Sequence, residues 1–99
     1  MSLLIELWLD GRPVDGFETG WDEVERLLAK TDEPAPLLRE VDPYSDLTID
    51  QAALSDLVSE CDHLLPAAAE QAERTLVRLR ALSLRGLTAP SAELQFKGD

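Results

Sequence analysis

The sequence predicts an α+β domain, a small and largely antiparallel sheet with three helices packed on one face, in the order β-β-α-β-α-α-β. Three observations carry that expectation. Apolar and polar residues alternate at both ends of the chain, through Leu3, Ile5, Leu7 and Leu9 and again through Ala92, Leu94 and Phe96. Between these ends, apolar residues recur at helical spacing. An Asp10-Gly11 pair closes the first alternating run, as in a tight hairpin.

Taken in order, Leu3, Ile5, Leu7 and Leu9 alternate with Leu4, Glu6 and Trp8, giving one apolar and one mixed face, which suits a central strand. Gly11 tolerates positive φ, so Arg12 to Phe17 should return as a second strand, and Pro13, lacking an N–H, places it at a sheet edge. Thr19 is the expected cap of a helix whose inward face is Trp21, Val24, Leu27 and Leu28, stopping near Lys30 or Thr31 ahead of Pro34 and Pro36. Leu37 to Val41 is expected as the third strand, followed by an Asp42-Pro43-Tyr44-Ser45-Asp46 turn. Ile49 and Asp50 read as the hydrophobic staple and N-cap of a helix from Gln51 to about Leu65, with Leu54, Leu57, Val58, Cys61, Leu64 and Leu65 on one stripe. Pro66 breaks that helix. The next is expected from about Ala67 to Leu84, burying Ala69, Ala72, Leu76, Leu79 and Ser83, with Gly86 as its C-terminal cap. The last strand must return from this helical excursion to pair with the first or its neighbour.

The Asp42-Pro43-Tyr44-Ser45-Asp46 segment, the helix start at Gln51 and the closing Phe96-Lys97-Gly98-Asp99 resemble a set of small actinobacterial proteins. Those carry D-P-Y-G-D-T before a Leu-rich helix and end in aromatic-x-G-D. The resemblance spans the C-terminal two thirds, and Ser45 and Leu47 depart from its Gly and Thr. It implies no activity and carries over no functional residue.

A chain of 99 residues is expected to form one domain, with one core and no large two-domain cleft. Its 9 basic residues against 20 acidic ones give a net charge of -11, which disfavours phosphate backbones and anionic lipid and favours a basic protein partner. No apolar run reaches the roughly 18 residues of a membrane span. Cys61 is the single cysteine, so no internal disulfide forms, and the chain reads as cytoplasmic.

The motifs that would carry chemistry fall short. Asp46, Thr48 and Asp50 have the first spacings of a calcium loop, but Gln51 stands where its Gly must turn and Leu57 where a bidentate Glu must close the shell. Cys61 and His63, two apart on a helix, face different ways and cannot form a dyad, and one Cys with one His does not make a structural zinc site. No phosphate cradle or nucleophile elbow accompanies the many carboxylates. The expectation is therefore a protein that is not an enzyme and needs no cofactor or metal.

Charge is distributed unevenly. Residues 1–73 hold 4 basic and 18 acidic groups, net -14, whereas residues 74–99 hold 5 basic and 2 acidic groups, net +3. Arg74, Arg78 and Arg85 share a helical stripe opposite the apolar face, either a solvated face supported by Glu70 or a surface for an acidic patch, such as that of a second copy. Trp8 points away from the apolar face of the first strand and either packs under another layer or anchors an interface. The leading expectation is an acidic binding module, immunity-like or antitoxin-like, that masks a basic protein through Asp22, Glu23, Glu25, Asp32, Glu33, Glu40, Asp42 and Asp46. The alternative is an oligomer-forming accessory subunit, a homodimer joined through Trp8 and the Arg stripe.

Overall fold

The computed structural model of the protein describes residues 2–98; Asp99, the final residue of the resemblance, lies outside them. The elements run β1 (Ser2–Leu9), β2 (Arg12–Gly20), α1 (Asp22–Lys30), α2 (Pro36–Arg39), β3 (Asp46–Asp50), α3 (Leu54–Leu64), α4 (Glu70–Gly86) and β4 (Glu93–Lys97). Short 3-10 turns, Gln51–Ala53 and Leu65–Ala67, flank α3.

All strand pairs are antiparallel, and the sheet order is β2-β1-β4-β3, with β1 inside the sheet and paired with the returning β4. Asp10 and Gly11 have φ of 52° and 77°, the double positive φ that a type I′ hairpin requires. Ser91 clamps this turn, its hydroxyl donating to Asp10 Oδ1 at 2.6 Å and accepting the Asp10 N–H at 3.1 Å. Pro13 sits on edge strand β2 beside a bulge: Leu7 pairs with Asp15 but Trp8 with Pro13, leaving Val14 as the extra residue.

The inward alternation buries Leu3, Ile5, Leu7, Phe17, Ile49, Leu94 and Phe96 in one core with residues of the helical layer. Trp21 packs edge-on to Phe96 at 6.4 Å between ring centroids. The α3 stripe of Leu54, Leu57, Cys61 and Leu64 is buried as its spacing requires, and so are Ala72, Leu76, Leu79 and Ser83 of α4. The predicted architecture of helices on one sheet face therefore holds.

Several expectations are corrected. Leu37 to Val41 is no strand: Pro36 opens the short helix α2, and Glu60 accepts the N–H groups of Leu37 and Leu38 that a helix start leaves unpaired. The third strand is Asp46–Asp50, so Asp50 ends a strand and caps nothing with its side chain. Thr19 is a buried residue of β2, and Trp21 holds the N-cap position of α1 without a side-chain cap. Ala69 precedes α4 and is exposed. Gly86 ends α4 without positive φ; a Cβ there would lie 2.7 Å from Leu54 Cδ1 and 3.2 Å from Leu7 Cδ1, so its role is to let three elements converge.

Candidate functional site

Among the described residues, no helix covers the second face of the sheet. Strand register lays its residues in three rows: Glu18, Leu4, Lys97 and Asp46; then Gly16, Glu6, Gln95 and Thr48; then Pro13, Trp8, Glu93 and Asp50. Five carboxylates, those of Glu6, Glu18, Asp46, Asp50 and Glu93, thus share this face with one cation, Lys97. Leu4 and Trp8 supply its apolar centre, both half-buried.

Trp8 is held in place by its neighbours. Its Nε1–H donates to Glu6 Oε1 at 3.3 Å, Lys97 Nζ reaches the same oxygen at 2.9 Å, and the ammonium lies 5.0 Å from the centroid of the Trp8 ring. The hydrogen bond from Lys97, aided by that from Trp8, holds the Glu6 carboxyl below the usual carboxylate range against the opposing effect of its partial burial. Gly16 faces Glu6 across the strand pair, where a Cβ would meet Ile5 O at 2.7 Å and Glu6 Cγ at 3.2 Å. Gln95 donates to Glu93 Oε1 at 2.8 Å in the next row.

Of the acidic residues expected to contact a partner, only Asp46 stands on this face, where it also accepts the Gly98 N–H at 3.2 Å. Asp22, Glu23 and Glu25 ride on α1, and Glu23 is engaged structurally, its carboxylate accepting the Ala72 N–H of α4 at 3.0 Å. Asp32 and Glu33 lie between α1 and α2, Glu40 ends α2, and Asp42 accepts the Tyr44 N–H at 2.9 Å. Sequence reasoning passed over Glu6, Glu18, Asp50 and Glu93. Alternation with Leu3, Ile5, Leu94 and Phe96 already put Glu6 and Glu93 on an outward face; the pairing of β1 with β4 is what joins them.

The arginine stripe borders β2. Arg85 pairs with Asp15 at 3.1 Å, Arg78 stacks its guanidinium 4.4 Å from the Phe17 ring centroid, and Arg74 donates to Gln71 Oε1 at 3.2 Å rather than pairing with Glu70. Cys61 is fully buried, and burial, reinforced by the charges of Glu60 and Asp62, pushes its thiol up to about 12, while His63 is exposed. Among the described residues no group of three His, Cys, Asp or Glu could hold a metal, and no helix is long and apolar enough to cross a membrane.

Comparisons with models of known families, with curated proteins and with solved structures returned no match to this chain.

Proposed function

We propose that this protein is a non-enzymatic binding module that takes a basic protein surface on the open face of its sheet. The observation supporting this is the set of five carboxylates arranged around Trp8 and Leu4 on a face that no helix of the described residues covers. A four-stranded sheet is a stiff platform, so little side-chain and no backbone ordering opposes docking. Trp8 has the size and mixed polarity of an interface anchor, and Glu6 and Lys97 fix its ring before the partner arrives. The net charge of -11 would accelerate encounter with a cationic partner, the logic by which immunity proteins and antitoxins mask theirs. Self-association through the arginine stripe has less support, because Arg85 is paired with Asp15 of its own chain.

The test compares the wild-type chain with an open-face variant, Trp8→Ala with Glu93→Lys and Asp50→Lys, and a helical-face variant, Asp22→Lys with Glu25→Lys. Each is immobilised as bait in host extract at low salt. A basic protein retained by the wild type and the helical-face variant, lost from the open-face variant and released by salt, is the expected result. Retention that ignores the open-face changes, or an acidic captured protein, would overturn the reading.

A further inference from the structure

A notch of about 210 Å³ lies between β2 and α4, on the helical side of the edge strand, lined by Phe17, Glu18, Thr19, Gln71, Arg74, Thr75 and Arg78. We propose that it is an oxyanion-binding site, in which Arg74 and Arg78 clamp a single phosphate or carboxylate group. The inference is independent of the open sheet face.

The floor of the notch is a polar network whose donors are assigned by counting protons. Thr19 Oγ1 donates to the Gly20 carbonyl at 3.1 Å, so the 2.7 Å contact between the Thr19 and Thr75 hydroxyls must take its proton from Thr75. Gln71 Nε2 donates to Thr19 Oγ1 at 2.8 Å and to Thr75 Oγ1 at 3.3 Å. The amide is thereby oriented with its oxygen toward Arg74, whose guanidinium donates to it at 3.2 Å. Two buried hydroxyls thus fix, through one amide, the position of a surface guanidinium.

Arg78 is held by other means. Its guanidinium lies over the Phe17 ring, a contact that uses the face of the group and leaves its in-plane N–H donors free. Among the described residues, the ion pairs of α4 are those of Arg80 with Asp62 and Arg85 with Asp15; neither Arg74 nor Arg78 lies within ion-pair distance of a carboxylate. Arg74 and Arg78 are four residues apart on α4, one turn, so their guanidinium groups can flank one oxyanion with paired N–H donors. Across the notch lie Phe17 and Thr19 of β2, whereas the Glu18 carboxylate is on the other face of the sheet, 3.5 Å from the Ser2 hydroxyl.

The experiment is an NMR titration of isotopically labelled protein at constant ionic strength, with inorganic phosphate in one arm and acetate in the other. Saturable shifts of the Gln71 side-chain amide and of the Arg74 and Arg78 Nε–H signals are expected. Saturation by phosphate alone assigns the site to phosphate esters, by acetate alone to carboxylates, and by both to either. Arg74→Gln with Arg78→Gln should weaken binding by about tenfold or more, and each single change should weaken it by less. Shifts that rise linearly without saturating, or that persist in the double variant, would overturn the proposal. The single variants, each at an exposed side chain, decide the matter should the double variant fail to fold.

Discussion

Glu60 of α3 holds Leu38 of α2 from below: the buried carboxylate accepts the Leu38 N–H at 3.0 Å and, with its other oxygen, the Leu37 N–H at 3.2 Å. A side chain twenty-two residues further along thereby supplies the N-terminal acceptor that a four-residue helix cannot provide for itself. Glu60→Ala should leave both N–H groups without an acceptor and cost about 2–4 kcal/mol, and Glu60→Gln, which keeps one acceptor, less. Urea denaturation of the two variants checks the order; equal stability of Glu60→Ala and wild type would remove Glu60 from this role.

Cys61 makes stability depend on alkaline pH. Its thiol ionises near 12 in the fold against 9.0 for a free thiol, so between those values the unfolded chain has released a proton that the folded chain retains. Stability is therefore intact below about pH 9 and falls above it by up to about 1.4 kcal/mol per pH unit. Cys61→Ala should flatten that slope when denaturation midpoints are followed from pH 8 to pH 10.5. In the wild type, a bulky thiol reagent should label Cys61 only as fast as the protein opens.

The Glu6 carboxyl, held low by Lys97, contributes stability above the ordinary carboxylate range that is lost as pH falls through its folded value. The pair is partly exposed, so its contribution is at most about 1 kcal/mol. Lys97→Met should move the Glu6 titration midpoint upward, measured from its side-chain carbon signal, and should also free the Trp8 ring, seen as a broadened indole resonance.

Gly86→Ala would add helix propensity worth about 1 kcal/mol to α4 but force a methyl against Leu54 Cδ1, in a core packed on all sides. Overpacking of about 1–3 kcal/mol should prevail. Leu54→Val, which withdraws that methyl, should make the double variant more stable than the sum of the two single changes implies, as a denaturation cycle would show.

What was legible in the sequence follows from how local each cause is. The alternation of Leu3 to Leu9 and of Leu94 with Phe96, and the Asp10-Gly11 turn, are set by neighbours a few residues away, and they appear as expected. Leu37 to Val41 is a short apolar run that reads as a strand, whereas Pro36 at the helix start and the distant Glu60 carboxylate, which accepts the Leu37 and Leu38 N–H groups, hold it as a helical turn. Asp46–Asp50 is rich in residues that cap and turn, yet it becomes a strand because β4 offers an edge with Ile49 opposite Leu94. Thr19 looks like a cap until Thr75 and Gln71 of α4 arrive to bond it. The open face was half-visible for the same reason: each strand discloses which residues point outward, and only the strand order discloses which of them are neighbours.

The placement of β4 beside β1 also sets the mechanical character of the molecule. Leu4 pairs with Lys97 across an antiparallel ladder, so the two ends of the described chain meet at one rim of the sheet. A load pulling those ends apart acts along the inter-strand hydrogen bonds, which in such a ladder lie perpendicular to the strands, and would break them one after another from that rim. The sheet would unzip at low force instead of resisting in shear, parting through its middle into a β1–β2 ribbon and a β3–β4 ribbon.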